Sequence, residues 1–191
     1  MGVPVSAVTI RHPPWLAAAV DWDRHYASDE ERMRLTVSLA RRNVRERTGG
    51  PFAAAVFERE SGRLVAVGTN GVVRANNCVL HGEIVASMMA QARLGSYTLR
   101  AEGMREHELV TSCEPCAMCL GATLWSGVRR LVCGASREDA RRLDFEEGPV
   151  FPESHAYLAE RGIEIVLGVC RAEANEVLEM YVREGGEIYN G

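Results

Sequence analysis

The chain has 191 residues, 47% of them hydrophobic, with a formal net charge of −4. This length suits one buried core, so we expect one domain (residues 28–191) after an N-terminal arm (residues 1–27). We also expect a cytoplasmic protein without a membrane span. The acidic balance argues against a nucleic-acid partner, and the lack of any Lys excludes Schiff-base chemistry and a Gly-Lys-Ser/Thr phosphate loop.

The first half of the chain predicts an arm, a helix and a β-hairpin. Residues 1–27 contain three prolines and no sustained periodicity, which indicates an arm lying on the surface or across a partner. Ser28 is a predicted N-cap, followed by three acidic residues and a helical pattern that ends at Gly49. The apolar runs 52–57 and 64–69 flank a turn that contains glycine, so they predict a hairpin.

Helical and extended patterns alternate through the second half of the chain. Such alternation is typical of an α/β protein with a layered sheet. Helices are predicted at 81–95, 116–127, 137–143 and 172–183, and strands at 108–112, 130–133 and 163–169.

Two short motifs carry the chemistry, and both stand at predicted helix starts. Cys116 and Cys119 are three residues apart, so their side chains share one helical face, and His81 at the other helix start completes a set of three metal ligands. Three protein ligands leave a fourth position open for water, which is typical of a catalytic zinc site. Glu83, two residues after the histidine, is the predicted proton shuttle.

The other cysteines leave an alternative open. Cys113 lies three residues before Cys116 and would give a closed structural zinc site, in which case the chain would be a binding module without a reaction. Because Pro115 separates Cys113 from the helix, we expect Cys113 to be buried in the core instead. Cys78, Cys133 and Cys170 are also predicted to be core or near-core thiols.

The residues 81–83, His-Gly-Glu, and 115–119, Pro-Cys-Ala-Met-Cys, resemble the signature of the cytidine-deaminase-like zinc deaminases. Most members have Ala where this chain has Gly82, a difference expected to lower helix propensity by up to about 1 kcal/mol without touching the chemistry. The stretches 49–57, 68–70, 111–116 and 120–125 are similar to the bacterial guanine deaminases, a branch that includes relatives acting on ammeline, a triazine.

The resemblance implies roles for further residues. Asn70 matches an Asn that hydrogen-bonds the base, and Phe52 and Trp125 match aromatic walls of the pocket. Glu114 is assigned to substrate binding in the same way, and Glu147 matches a second catalytic acid. Structural roles remain open for all of these residues, and Tyr189 either caps the site or belongs to a frayed tail.

The family fold implied by the resemblance is a three-layer α/β/α structure with a mixed five-stranded sheet, one Zn²⁺ per subunit and a homodimeric assembly. The C-terminal segment 171–191 is expected to contact or exchange with the partner subunit. The predicted activity is hydrolytic deamination of a purine base, guanine to xanthine in purine metabolism, or of an ammeline-type triazine. The alternatives are a nucleoside deaminase, a tRNA-specific adenosine deaminase using the same zinc site, and a deaminase scaffold reassigned to a biosynthetic reaction.

Overall fold

A computed structural model describes residues 7–190, which contain a mixed sheet of five strands. The strands are β1 (Ala53–Glu58), β2 (Leu64–Thr69), β3 (His107–Cys113), β4 (Arg130–Ala135) and β5 (Glu164–Val166). Their order across the sheet is β2-β1-β3-β4-β5. Strand β1 is antiparallel to β2 and β3, whereas β3, β4 and β5 are parallel, so the predicted mixed sheet is confirmed.

Helices cover both faces of the sheet. The helices are α1 (Leu16–Ala19), α2 (Asp29–Arg45), α3 (Val72–Ala75), α4 (Gly82–Leu94), α5 (Ala117–Ser126), α6 (Arg137–Arg141), α7 (Glu153–Glu160) and α8 (Arg171–Arg183). Because side chains alternate along a strand, Ala55 and Phe57 join one apolar core with α2 and α8. Ala54 and Val56 join a second core with α4, α5 and α7. This arrangement confirms the predicted three layers.

The helix ends that matter for the site follow the expected local signals. Ser28 Oγ accepts a hydrogen bond from Glu31 N at 3.2 Å and caps α2. Gly95 and Gly127 end α4 and α5 in the left-handed conformation, with φ of 63° and 89°. His81 and Cys116 are the N-cap residues of α4 and α5, so both motifs stand at helix starts as predicted.

Several elements differ from the sequence prediction. Strand β5 ends at Val166, because the chain turns at Gly168, where φ is 77°. Three helices were not predicted, because they lack a strong apolar period: the short helices α1 and α3, and α7. In α7 only Leu158 is buried. Cys133 and Cys113 are buried as expected, whereas Cys170 is half-buried.

The prediction of a core position for Cys78 is wrong. Cys78 is exposed, because it lies in the polar loop between α3 and α4, outside both apolar cores. All six cysteines are free thiols. Among residues 7–190, no helix combines the length and apolar character needed to span a bilayer.

The described part of the N-terminal arm, residues 7–27, packs on its own chain. Leu16, Val20 and Tyr26 are buried in the apolar core that contains α2 and α8. His25 also forms an isolated bridge with Arg63 beside the hairpin. Residues 7–27 therefore pack against their own chain, while the boundary between arm and domain stays a prediction. Residues 1–6 lie outside the described part of the chain.

Candidate active site

Three side chains that are distant in sequence meet where α4 and α5 begin. His81 Nδ1 lies 3.6 Å from Cys116 Sγ and 3.5 Å from Cys119 Sγ. The three ligand atoms all lie within 4.8 Å of one another. The extended N-cap conformation turns His81 and Cys116 toward each other, and the first turn of α5 adds Cys119.

The spacing of these atoms fits a tetrahedral zinc ion. With Zn–S near 2.3 Å and Zn–N near 2.0 Å, two ligand atoms at a tetrahedral angle lie about 3.5 Å apart. The observed nitrogen–sulfur separations of 3.5 and 3.6 Å agree with this value. Cys113 is not part of the cluster, since its Sγ lies 3.6 Å from the carbonyl oxygen of Ser136. A three-ligand set with an open position therefore fits better than a closed structural site.

The two cysteines of the cluster have opposite pKa shifts. A hydrogen bond from the Cys119 thiol and another from His81 lower the pKa of Cys116 to about 4. The same hydrogen bond to Cys116, together with burial, raises the pKa of Cys119. One thiolate is therefore favoured at neutral pH, and thiolate is the form that binds zinc.

Glu83 lies in the first turn of α4, directly beside the metal-ligand cluster. Its carboxyl group is buried and lines the same pocket as His81 and Cys116. Burial raises the pKa of Glu83, and the charge of Cys116 adds to this shift. A carboxyl group at this position, close to the open side of the ligand set, is suited to moving protons.

Glu147 reaches the pocket from the loop between α6 and α7. Its side chain is buried, although the surrounding sequence is acidic and contains Gly and Pro. Burial raises the pKa of Glu147 to about 8, with smaller contributions from Cys116 and Glu83. The site thus contains a second buried carboxyl group, at the position that the resemblance indicated.

The pocket in front of the ligands is nearly filled by the C-terminal tail. Its free volume is about 40 Å³, whereas a water molecule occupies about 30 Å³ in the liquid. Tyr189 and Asn190 line the pocket, and Tyr189 packs on Phe145 with ring centroids 5.7 Å apart. Asn190 binds the tail to the Glu147 loop through two hydrogen bonds. Its Oδ1 accepts from Glu146 N at 2.9 Å, and its Nδ2 donates to Asp144 O at 2.7 Å. Tyr189 and Asn190 thus border a pocket with room for about one water molecule beside the candidate ligands.

Phe52 lines the pocket and Asn70 adjoins it. Asn70 N donates to the carbonyl oxygen of Phe52 at 2.9 Å, and the Asn70 side chain is fully buried. Asn70 Oδ1 accepts weak hydrogen bonds from Gly50 N and Val72 N, at 3.4 and 3.3 Å. Asn70 Nδ2 has no hydrogen-bond partner within residues 7–190. A buried donor of this kind is uncommon unless a ligand or water completes it.

Trp125 does not line this pocket in its own chain, so its role as a pocket wall stays a prediction. The buried side chains of α5 are Cys119, Leu120, Thr123 and Ser126. Trp125 falls on the opposite side of the helix, nearly two turns beyond Cys119, and is 80% exposed. Helix α5 is apolar on both sides, so its sequence alone does not distinguish the inner from the outer face.

The predicted substrate residue Glu114 lies in the pocket wall but is already paired with Arg137. Arg137 Nη2 donates to Glu114 Oε2 at 2.9 Å and lies 3.3 Å from His155 Nε2. Arg137 is buried, and its Nε has no partner in the described chain. Sequence reasoning missed this arginine because its only local signal is a helix start, and its partners come from the start of α5 and from α7.

Comparison with known proteins shows which family this chain resembles. The family model described as the cytidine and deoxycytidylate deaminase zinc-binding region matches residues 26–135. A guanine deaminase from Bacillus subtilis is 34% identical over 131 residues, which are 69% of this chain and 80% of that protein. The guanine deaminase structure from Nitrosomonas europaea has a TM-score of 0.89 and 44% identity, and the match covers 94% of this chain and 98% of that one.

One further solved structure contains a purine. It is that of NE0047 in complex with 2,6-diaminopurine, with a TM-score of 0.91, 46% identity and coverage of 96% of this chain and 97% of that one.

Proposed function

This chain belongs to the cytidine and deoxycytidylate deaminase zinc-binding family, and we propose that it hydrolyses the amino group of a free purine base, converting guanine to xanthine. An ammeline-type aminotriazine is the second substrate of the same class. One observation carries the proposal: the cluster of His81, Cys116 and Cys119, which could hold a metal ion, adjoins a small pocket that contains two buried carboxyl groups, those of Glu83 and Glu147.

The metal site and the two carboxyl groups have different tasks in the reaction. Bound zinc supplies the Lewis acidity that makes water nucleophilic near neutral pH. Glu83 takes a proton from the water and passes it to the ring nitrogen next to the reacting carbon. Glu147 protonates the departing amino group, which leaves as ammonia. Glu147 then takes back the proton of the hydroxyl group that the water formed on the ring carbon, so this oxygen becomes the carbonyl oxygen of xanthine. Guanine and water thus give xanthine and ammonia.

Base recognition rests on Asn70 and Phe52. Because Gly50 and Val72 engage Asn70 Oδ1, the unpartnered Nδ2 is free to donate to an acceptor on the base. Phe52 lines the pocket and packs edge-on against Phe145, with ring centroids 5.0 Å apart. An apolar wall with a single fixed donor suits a flat heterocycle. Glu114, held by Arg137, forms the polar end of the same pocket.

The free-base proposal competes with nucleoside or tRNA deamination by the same zinc site. The net charge of −4 offers no general attraction for a polyanion such as tRNA. The test is ammonia release by the zinc-loaded protein from guanine, ammeline, guanosine, adenosine and a tRNA anticodon stem-loop. We expect turnover of guanine or ammeline; turnover of nucleosides or the stem-loop alone would contradict the proposal.

We also propose a homodimer, in which the outer face of α5 and the neighbouring segment 149–158 contact a second copy of this chain. The family resemblance implies this assembly. Apolar side chains lie exposed around a groove of about 410 Å³ on this face, and exposed apolar clusters are typical of protein interfaces. Phe151 and Tyr157 line the groove, and Met118 and Trp125 are exposed on α5.

The dimer is tested by sedimentation at micromolar concentration. We expect the parent to sediment at twice the chain mass and Trp125→Asp to sediment as a monomer. Tyr97→Asp is the matched control, since Tyr97 is equally exposed but lies on the loop after α4. A monomeric parent, or an equal effect of both variants, would refute the interface. Exchange of the 171–191 segment between subunits would appear as partner contacts in a crystal structure of the dimer.

A cytoplasmic location and a role in purine metabolism complete the proposal. Six free cysteines suit a reducing compartment, and guanine is a product of nucleic-acid turnover in that compartment. Fractionation of cells that express the protein tests the location. Recovery of the protein from the membrane or secreted fraction would contradict it.

A further inference from the structure

The N-terminal arm is connected to the base pocket by a series of side-chain hydrogen bonds. Trp15 Nε1 donates to Thr48 Oγ1 at 3.0 Å, although the two residues are 33 positions apart. The Trp15 ring also stacks against the guanidinium of Arg42, whose Cζ is 5.0 Å from the ring centroid. Trp15 lies outside residues 26–135, the part of the chain that matches the deaminase family model.

The hydroxyl group of Thr48 transmits this contact to Asn43. Because Thr48 Oγ1 accepts from Trp15, its own proton is directed to Asn43 Oδ1, 2.7 Å away. This bond fixes which way the buried Asn43 amide points. Asn43 Nδ2 then donates to two main-chain carbonyl oxygens, those of Gly50 and Asn70, both at 2.9 Å.

These bonds hold the backbone of Asn70 at a very close approach. A Cβ atom on Gly49 would lie 1.9 Å from the Asn70 carbonyl oxygen and 2.7 Å from Asn43 Nδ2, so only glycine fits there. Arg74 reinforces the link, since its Nε donates to Thr48 O and its Nη2 donates to the Arg11 carbonyl of the arm, both at 3.1 Å. The arm therefore reaches the Asn70 loop through two routes.

We infer that the arm is a positioning element of the base pocket, in which Trp15 fixes the place of Asn70 through Thr48 and Asn43. This inference rests on the proposed function, which gives Asn70 Nδ2 the task of binding the base. Trp15, Thr48 and Asn43 do not touch the substrate themselves. Their effect is to keep one donor aligned before binding, which lowers the cost of ordering it when the base enters.

Two substitutions each remove one hydrogen bond of the link. Trp15→Phe keeps an aromatic ring for Arg42 but loses the indole N–H, and Thr48→Val keeps the shape but loses the hydroxyl. Trp22→Phe is the matched control, because Trp22 Nε1 donates to Ala17 O at 3.3 Å, within the arm. Thr48→Ser keeps the hydroxyl and serves as the conservative rescue.

The measurements are the KM and kcat for guanine and the Kd for 2,6-diaminopurine. Loss of one hydrogen bond in the series is expected to raise KM and Kd about fivefold to tenfold in Trp15→Phe and Thr48→Val. The kcat should stay within about twofold, since Glu83 and Glu147 are untouched. Trp22→Phe and Thr48→Ser should behave as the parent. Unchanged KM and Kd in both test variants, or an equal change in Trp22→Phe, would overturn the inference.

A readout without ligand separates this inference from the proposed function. Hydrogen exchange of the Gly50 and Val72 amides, which donate to Asn70 Oδ1, should be faster in Trp15→Phe and Thr48→Val than in Trp22→Phe. If the parent neither binds nor converts a purine base, the proposed function fails. The exchange rates of these two amides then test the link between Trp15 and Asn70 without any ligand. Unchanged exchange would then overturn the structural link as well.

Discussion

The amide N–H of Ala117 donates to the main-chain carbonyl oxygen of Glu147 at 2.9 Å. Ala117 is the first residue of α5 and follows the proposed metal ligand Cys116, so this bond ties the Glu147 loop to the candidate metal site. A helix start leaves its first amides without helical partners, and here a loop carbonyl satisfies one of them. The bond fixes where the Glu147 side chain enters the pocket.

The first prediction concerns Glu147 itself. Glu147→Gln keeps the size of the side chain and the main-chain bond to Ala117 but cannot donate a carboxyl proton. We expect kcat for guanine to fall by about 100-fold or more while zinc content and melting temperature remain unchanged. Glu138→Gln, on the exposed side of α6, is the control with parental activity. Full activity in Glu147→Gln would mean that Glu83 performs both proton transfers.

Glu83 gives the second prediction. Glu83→Gln should reduce kcat by about 100-fold to 10,000-fold, because the group that moves protons next to the metal ligands is lost. Glu83 is not a ligand of the cluster, so one zinc ion per chain should still bind. Metal analysis and steady-state kinetics measure the two effects, with Glu60→Gln in the exposed hairpin turn as control. Loss of zinc together with activity would instead indicate a role in metal binding.

Local signals in the sequence were sufficient to predict the cluster of His81, Cys116 and Cys119, which could hold a metal ion. Cys116 and Cys119 share a helix turn, and capping patterns and glycines define where α4 and α5 begin and end. These properties depend on neighbours within a few positions, and so does the proximity of Glu83 to His81. The α/β class follows from the same local periodicity.

Contacts between distant segments were beyond sequence reasoning. The ion pair of Arg137 with Glu114 joins residues 23 positions apart, and no local pattern signals it. The outward direction of Trp125 depends on which face of α5 meets the sheet, and both faces are apolar. Short helices such as α3 offer too few residues for a period.

The third prediction separates the zinc ligands from the remaining cysteine of the pocket. Cys116→Ala should reduce bound zinc to well below one ion per chain, because only two ligands remain. Cys113→Ala is the matched comparison: Cys113 is buried and close in sequence but lies outside the ligand cluster. It should keep one zinc ion per chain. Equal zinc loss in both variants would favour a four-ligand structural site.

Gly82 gives a fourth prediction, in which packing opposes helix propensity. A Cβ atom on Gly82 would lie 2.9 Å from Ala53 Cα and 3.1 Å from Ala53 C, in the backbone of β1. Helix propensity alone favours alanine over glycine at this position by up to about 1 kcal/mol. Because backbone atoms cannot move aside cheaply, we expect Gly82→Ala to lower the free energy of unfolding by about 1 to 2 kcal/mol.

The same substitution should also weaken zinc binding, since it displaces the helix start that carries His81 and Glu83. Gly121→Ala is the control, because Gly121 also lies inside a helix but its Cβ would have no atom within 4 Å. Gly121→Ala should leave stability unchanged or raise it. Urea unfolding and competition with a chelator measure the two effects. A Gly82→Ala protein as stable as the parent would show that α4 can shift on β1 without cost.

The last prediction concerns pH and Asp139, whose side chain is almost fully buried at the start of α6. Hydrogen bonds from Arg171, followed by those from Ser136, lower the pKa of Asp139 below its ordinary value of 3.8. A carboxyl group with a lowered native pKa adds stability above its unfolded pKa and loses it as the pH falls toward the native pKa.

Asp139→Asn should therefore lower the free energy of unfolding by about 2 kcal/mol at pH 7 and at pH 5, where the parent carboxylate is charged in both states. Below pH 3.8 the unfolded parent gains a proton, so the difference between the two proteins should shrink steadily. Urea unfolding of both proteins from pH 7 to pH 3 measures this difference. Zinc release at low pH lowers the stability of both proteins alike, so it does not contribute to the difference between them. Glu138→Gln, exposed on the same helix, should differ little from the parent at every pH. If the difference in the free energy of unfolding between Asp139→Asn and the parent stayed constant down to pH 3, the substitution would act through packing. A contribution from the charged carboxylate must decrease when the carboxylate is protonated.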